Sequence, residues 1–180
     1  MRLARVMDIR GIDSLATLSR LTMQTMTIVI MATGLLSGCA EEAHPPTLSQ
    51  AERLGDDAVN AREQKIPIVL VVTEADCAYC MKLKREVIQP ILISGDYERR
   101  AIFREMRMRP AYPLKGFDLE PVQSNVLARR YAITVVPTVL VLGPDGTEQA
   151  KRLIGINNVE MYGYYLDQAI QSATAAIARD

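Results

Sequence analysis

The sequence predicts an α/β fold in which helices cover both faces of one central β-sheet. Two continuous runs rich in β-branched residues, 67–73 (PIVLVVT) and 135–142 (VVPTVLVL), are typical of strands that are buried on both faces. Segments with apolar residues at helical spacing alternate with strand-like runs along the chain. The resulting order of elements is α, β, α, β, α, β, β, α, which fits a sheet enclosed between two helical layers.

Three elements are predicted before residue 91. Residues 49–64 carry apolar side chains at helical spacing, which predicts a first helix capped by Ser49. The run 67–73 is the first strand. A second helix is expected from Cys77 to about Gln89, where Pro90 would end it because proline has no N–H to donate.

The middle of the chain is less regular. Residues 100–108 alternate between apolar and polar types and predict a weaker strand. Residues 109–121 contain three prolines and a glycine, and we expect them to form a loop. A short helix is predicted over 124–131, with Ser124 as its cap.

The last third predicts a hairpin followed by a long helix. The strand over 135–142, which contains a proline near its start, leads into a turn at 143–146 and a strand over about 148–154. Asn157 and Glu160 have the spacing of a capping box at the start of the terminal helix. One stripe of apolar residues follows at helical spacing.

Composition limits the possible functions. Of the 180 residues, 49% are apolar and 23% are charged, which is typical of one ordinary globular domain. The 21 basic and 21 acidic residues cancel, so we predict that the protein does not bind nucleic acid. Three cysteines and one histidine, His44, are too few for a usual tetrahedral zinc site. We therefore predict neither a metal site nor a bound cofactor.

The first 38 residues have the features of an export signal. Four arginines and two aspartates precede an uncharged stretch, 21–38, that ends in small residues. A permanent transmembrane anchor is the alternative, but the stretch is barely long enough to span a bilayer and contains Thr, Gln and Ser. We expect a signal peptide over 1–38.

The motif LSGC at 36–39 resembles the lipobox of bacterial lipoproteins. The resemblance implies that Cys39 is acylated and becomes the first residue of the mature protein. Residues 41–46 (EEAHPP) are polar and proline-rich, which predicts a lipidated tether over 39–48 before a folded domain over 49–180. Ala40, rather than Asp, after the cysteine favours the outer membrane, so the protein is expected on the periplasmic face of that membrane.

Cys77 and Cys80 stand where a buried strand ends and a helix begins. Unpaired amides and the positive end of a helix favour a thiolate at this place. Cys77 is therefore expected to be the exposed nucleophile, and Cys80, one turn deeper, to resolve the mixed disulfide. A packing pair of buried thiols and a static disulfide are the structural alternatives, and the ligand count argues against half of a zinc site.

With this CxxC motif, the sequence resembles the thioredoxin superfamily over residues 49–178. The segment 127–146 (LARRYAITVVPTVLVLGPDG) resembles the family's helix, cis-proline strand and hairpin. The resemblance implies a thioredoxin-like fold with a central mixed sheet and thiol-disulfide oxidoreductase activity on protein disulfides or thiols. It further implies that Pro137 is cis beside the cysteines, and that the backbone of Val136 pairs with a bound peptide.

Two residues near the motif leave alternatives open. Pro137 would instead have a trans bond if it belonged to an edge strand. Tyr79, between the cysteines, either contacts the sulfurs or the substrate, or is a plain surface residue. The proline-rich segment and the terminal helix resemble, more loosely, the exported thioredoxins that accompany sulfur-oxidation systems.

The chain departs from the family pattern in ways that affect proton transfer. Asp76 occupies the position of the usual tryptophan, and Val71 the position of the buried acid. Arg85 replaces the proline that kinks the active-site helix. Glu74 is the nearest substitute for the acid, with a solvated loop carboxylate as the alternative, and Lys84 is a weaker candidate.

The charges near the motif predict the direction of the redox chemistry. Asp76 and Glu74 would raise the pKa of the Cys77 thiol, whereas the helix end and three cations (Lys82, Lys84 and Arg85) would lower it. We predict a reductant or isomerase with a potential below about −200 mV, rather than a strong oxidant. In an oxidising compartment such a protein needs a membrane electron donor.

Two other functions are compatible with the sequence. The dithiol could bind Cu(I) and deliver it to an exported oxidase, as a metallochaperone does. Alternatively, the protein is a redox-inert adaptor that docks a partner through the loop 109–121. This loop is either a partner surface or a solvated connection, and its basic and aromatic residues are Arg107, Arg109, Tyr112, Lys115 and Phe117.

Overall fold

The computed structural model describes residues 47–179. Cys39 and the predicted signal peptide lie outside these residues. In chain order, the elements are α1 (Leu54–Gln64), β1 (Ile68–Thr73), α2 (Ala78–Leu83), a π-helical turn (Lys84–Ile88), α3 (Gln89–Ser94), β2 (Ile102–Arg107), β3 (Pro113–Lys115), β4 (Pro121–Gln123), α4 (Ser124–Arg130), β5 (Thr138–Leu142), β6 (Leu153–Ile154) and α5 (Val159–Ile177). No helix within 47–179 is long and apolar enough to cross a membrane.

The central sheet is mixed and has the strand order β2-β1-β5-β6. β1 pairs in parallel with β2 and antiparallel with β5, and β5 pairs antiparallel with β6. The segment between β2 and α4, residues 108–123, is called the insert. It contributes a separate antiparallel pair, β3 and β4. The predicted α/β architecture with a central mixed sheet is confirmed.

Both faces of the sheet are covered by helices, as the sequence predicts. β1 is buried along its whole length, and its residues alternate between two hydrophobic clusters. Leu70 and its alternate neighbours contact the cluster formed with α1, α4 and the insert. Val69 and Val71 belong to the cluster formed with the helical segment 78–94 and α5. Complete burial of each such side chain contributes about 1.5–3 kcal/mol, which makes β1 the centre of the fold.

The three predicted helix caps are wrong, because Ser49 and Ser124 bind backbone groups of other segments and α5 is capped by the residue after Asn157. The carbonyl of Ser49 accepts a hydrogen bond from the Glu105 amide at 2.7 Å, so residues 49–51 run beside β2 and α1 begins only at Leu54. The Ser124 hydroxyl accepts from the Tyr112 amide instead of capping α4. At α5 the cap is one residue later than predicted, at Asn158, whose side chain accepts from the Met161 amide.

Pro90 does not end the second helix. The Gln89 amide donates to the carbonyl of Lys84 in the π-helical turn, and α3 then continues to Ser94. Pro90 lies in the first turn of α3, where a missing N–H is tolerated. The helical segment therefore spans residues 78–94 and ends at Gly95, whose φ is 72°.

The prediction of a loop over 109–121 is wrong in part, because the segment contains β3 and the start of β4. The two prolines at the ends of this strand pair cost little, since they lie in short strands with only one partner strand in the pair. The predicted strand over 148–154 is shorter than expected. Only Leu153–Ile154 form β6, and Glu148 makes one isolated bridge to Leu142.

The insert is packed against the domain by two aromatic side chains. Phe117 lies against Gly146 in the turn after β5, where an added Cβ would come within 2.8 Å of the ring. The Tyr112 hydroxyl donates to the carbonyl of Ala51 at 2.9 Å. Burial raises the pKa of Tyr112 to about 12, so its proton remains available for this hydrogen bond.

Replacing Gly146 by alanine should destabilise the protein by about 3 kcal/mol, through a left-handed backbone and a clash with Phe117. Gly95 is a matched control, because its φ of 72° resembles the 80° of Gly146 while an added Cβ would meet its nearest atom at 3.9 Å. Gly95→Ala should cost only about 1 kcal/mol. Urea unfolding measures both variants, and equal losses would show that Phe117 does not pack there.

Candidate active site

Cys77 and Cys80 form a disulfide at the start of the helical segment, with their Cα atoms 5.2 Å apart. Cys77 is the N-cap of α2, and its Sγ accepts a hydrogen bond from the Cys80 amide at 3.1 Å. Cys77 is partly exposed, whereas Cys80 is only 1% exposed. This geometry fits an attacking first cysteine and a resolving second cysteine, because an amide donor stabilises a thiolate at the accessible sulfur.

The loop before the cysteines is fastened to the start of the insert. Nη2 of Arg109 lies 2.7 Å from Oε1 and 2.9 Å from Oε2 of Glu74. The Ala75 amide donates to the carbonyl of Arg109 at 2.9 Å. Both oxygens of Glu74 thus face a guanidinium group. Asp76 has a φ of 55°, a left-handed backbone conformation that turns the chain toward the helix.

The predicted substrate-binding residues lie at the same edge of the sheet as the cysteines. Thr138 pairs with Val72, so the preceding residue, Pro137, lies where β1 runs into the cysteine loop. The peptide bond between Val136 and Pro137 is cis, as predicted. Val136 is partly exposed and Tyr79 is 65% exposed, which leaves both accessible to a bound peptide.

A buried carboxylate that the sequence analysis missed lies beside this region. Glu105 on β2 is directly in register with Val71, and only 6% of it is exposed. It belongs to the face of the sheet that the helical segment 78–94 covers, because Phe103, two residues earlier, packs in that cluster. The signal was present in the alternation of residues 100–108, which places Phe103 and Glu105 on one face.

Three side chains satisfy the carboxylate of Glu105. Oε1 accepts from the hydroxyl of Thr73 at 2.7 Å and from Nζ of Lys84 at 2.9 Å. Oε2 accepts from Nε2 of Gln50 at 3.1 Å. Thr73 precedes the cysteine loop, and Lys84 follows Cys80 by one helical turn. The network thus connects the strand before the cysteines to the helix after them.

Two of the three cations that were expected to stabilise a thiolate form ion pairs with carboxylates instead. Lys84 pairs with Glu105, and Arg85 pairs with Glu86 at 2.8 Å. The basic and aromatic residues in and beside the insert also divide into groups: Arg109 binds Glu74, Tyr112 and Phe117 pack inward, and Arg107 and Lys115 face a surface groove. Within residues 47–179, no three His, Cys, Asp or Glu side chains are arranged to hold a metal ion.

Comparison with known proteins identifies the family of this chain. The thioredoxin-like domain family matches residues 54–170. Among solved structures, a DsbH oxidoreductase aligns with a TM-score of 0.53 and 15% identity, over 71% of this chain and 88% of its own. Thioredoxin f from spinach chloroplast aligns with a TM-score of 0.48 and 17% identity, over 72% of this chain and 96% of its own.

The periplasmic thioredoxin SoxS from Paracoccus pantotrophus, in its reduced form, aligns with a TM-score of 0.42 and 22% identity, over 59% of this chain and 98% of its own. No match is found among curated protein sequences. The alignment with the DsbH oxidoreductase, at a TM-score of 0.53, shows a shared fold.

Replacing Lys84 by methionine should lower the free energy of unfolding by about 2 kcal/mol, because it leaves the Glu105 carboxylate buried without its cation. The adjacent Arg85→Met is the matched control. The Arg85 side chain is 75% exposed, so loss of its ion pair should cost less than about 0.5 kcal/mol.

Urea unfolding measures the loss in both variants. Equal losses for Lys84→Met and Arg85→Met would contradict a buried ion pair between Lys84 and Glu105.

Proposed function

Because the chain belongs to the thioredoxin-like family and carries the CxxC disulfide of a thiol-disulfide oxidoreductase, we propose that it reduces or isomerises disulfides of other proteins. The observation that carries this proposal is the unequal placement of the two sulfurs. Cys77 is accessible and receives an amide hydrogen bond, and Cys80 is buried one turn behind it.

The proposed reaction begins with both cysteines reduced. The Cys77 thiolate attacks one sulfur of the substrate disulfide, whose S–S bond breaks and leaves a thiolate on the substrate. Cys80 then loses its proton and attacks Sγ of Cys77, which forms the Cys77–Cys80 disulfide and releases the second substrate thiolate. Two electrons pass from the enzyme to the substrate, and the substrate sulfurs take up two protons.

Residues at the sheet edge would hold the substrate during this exchange. In the proposed complex, the backbone of Val136 pairs with the extended substrate segment, and Pro137 lies against the cysteine pair. Tyr79, at the exposed start of α2, contacts the substrate beside its cysteine. The exposure of Tyr79 and Val135, 65% and 50% respectively, supports a substrate surface at this edge.

Two carboxylates are candidates to take the proton of Cys80. Both carboxylates have a cationic partner, Arg109 for Glu74 and Lys84 for Glu105. Glu105 differs from Glu74, the candidate from the sequence, because it lies on the sheet face that the cysteine-bearing helical segment covers. Glu105 is buried, and Lys84, one turn after Cys80, donates to it directly. We therefore assign proton transfer to Glu105 and an anchoring role in the cysteine loop to Glu74.

The distribution of charge supports a reductant or isomerase rather than a strong oxidant. Lys84 and Arg85 are paired with carboxylates, so they add little stabilisation to a Cys77 thiolate. A less stabilised thiolate means a less oxidising couple. In the proposed setting, the protein is attached by Cys39 to the periplasmic face of the outer membrane and receives electrons from a membrane donor.

The Cys80→Ala variant should trap covalent complexes with substrate proteins through Cys77, because no second thiol releases them. Cys77→Ser should trap nothing, and the double variant is the control for non-specific capture. Non-reducing electrophoresis followed by mass spectrometry measures the adducts. If the single Cys80→Ala variant captures no protein while the wild type reduces insulin, the assigned roles of the cysteines are wrong.

A Cu(I) titration and a deletion of the loop 109–121, each compared with the insulin assay, separate the other two functions. Tight Cu(I) binding without disulfide reduction would favour the metallochaperone. Loss of the cellular phenotype on deletion of residues 109–121, with none for Cys77→Ser, would favour the adaptor.

Glu105→Gln should slow release of substrate from the mixed disulfide by about tenfold to hundredfold at pH 7, because Cys80 loses its proton acceptor. The effect should shrink as the pH rises, since hydroxide then deprotonates the thiol. Glu74→Gln should change the rate less than twofold. Single-turnover stopped-flow kinetics measure this step, and the reverse ranking of the two variants would assign proton transfer to Glu74.

A further inference from the structure

The segment just before the matched family domain contacts the buried acid directly. Residues 49–51 precede the family match, which begins at residue 54. The Glu105 amide donates to the carbonyl of Ser49 at 2.7 Å, and the Ala51 amide donates to the carbonyl of Glu105 at 2.8 Å. This short piece of chain therefore binds both the amide and the carbonyl of Glu105, at the edge of β2 opposite β1.

Between these two backbone bonds, the side chain of Gln50 is directed at the Glu105 carboxylate. Its Nε2 donates to Oε2 at 3.1 Å, while its Oε1 accepts from Nε of Arg107 at 3.4 Å. Because Arg107 binds the amide oxygen, the amide nitrogen is directed toward Glu105 and acts as a donor to the charged carboxylate.

Gln50 also separates Glu105 from solvent. A surface groove of about 580 Å³ is lined by Gln50, Arg107, Tyr112 and Lys115, among other residues, and Glu105 is not one of the described residues that line it. On its other sides, Glu105 meets Thr73 from β1 and Lys84 from the helical segment. The ionisable groups around it are thus Lys84, Arg107 and Tyr112 of the insert.

We propose that Gln50 is a positioning residue of the active site, which holds Oε2 of Glu105 and closes the path from the groove to this carboxylate. This inference rests on the proposed function, because it matters for catalysis only if Glu105 accepts the Cys80 proton. It makes the N-terminal segment, outside the family match, part of the catalytic apparatus. Gln50 acts through Glu105 and has no contact with the reacting sulfurs in this assignment.

Two substitutions at Gln50 separate the hydrogen bond from the closure. Gln50→Met keeps the bulk and removes the donor, so Oε2 stays buried and unsatisfied. Release of substrate from the mixed disulfide should then slow by about tenfold, because the carboxylate is no longer held in place. Gln50→Ala removes both the donor and the bulk, and water from the groove can reach Oε2 as a substitute donor, so release should slow less than in Gln50→Met.

The release rate is measured in full-length protein by single-turnover stopped-flow kinetics, in the wild-type and the Glu105→Gln backgrounds. A positioning residue acts only through the carboxylate, so Gln50→Met should not slow release further in Glu105→Gln. Gln168→Met is the matched control, because Gln168 is exposed on α5, and its release rate should equal that of the wild type. Urea unfolding confirms that each variant is folded at the assay pH. An unchanged release rate in Gln50→Met, or an equal slowing by Gln50→Met in the Glu105→Gln background, would overturn the proposal.

This inference and the proposed function fail separately. If Glu105→Gln slows release and Gln50→Met slows it only while Glu105 is present, both proposals stand. If Glu105→Gln slows release while Gln50→Met does not, Glu105 takes the catalytic proton without Gln50, which overturns this inference alone. If Glu105→Gln leaves release unchanged, the assignment of proton transfer fails and this inference fails with it.

Discussion

The carboxyl group of Glu105, buried beneath the helical segment 78–94, is the constraint on which the surrounding structure depends. A buried charge is tolerated only when each oxygen has a donor and a cation lies nearby. Here the donors come from three separate parts of the chain: Thr73 on β1, Lys84 in the π-helical turn, and Gln50 in the N-terminal segment. The network therefore ties the strand before the cysteines, the helix after them and the sheet edge into one unit.

The π-helical turn, Lys84–Ile88, supplies one of the donors to Glu105. It lies between the dithiol and Pro90, and Lys84 at its start reaches Glu105. Turns of this kind are frequent at functional sites, because one extra residue in a turn redirects the side chains around it. In this chain the turn combines two features, since it supplies the cation for the buried acid and lets the helical segment continue past a proline to Ser94.

The parts of the fold that follow from local sequence were predictable. The β-branched run of β1 and the position of the CxxC motif at its end predict the strand, the helix and the place of the dithiol. Glu105 was missed because its role depends on the parallel register of β2 with β1, which places it beside Val71 rather than in the motif. The caps at Ser49 and Ser124 failed for a similar reason, because distant backbone groups bind these residues.

The central claim is that Glu105 takes the proton of Cys80, and its most direct test is chemical rescue of Glu105→Ala by a small carboxylate. The account predicts that release of substrate from the mixed disulfide is slow in Glu105→Ala and is accelerated by added formate, because formate then accepts the proton. Release at the wild-type rate in Glu105→Ala without formate would contradict it.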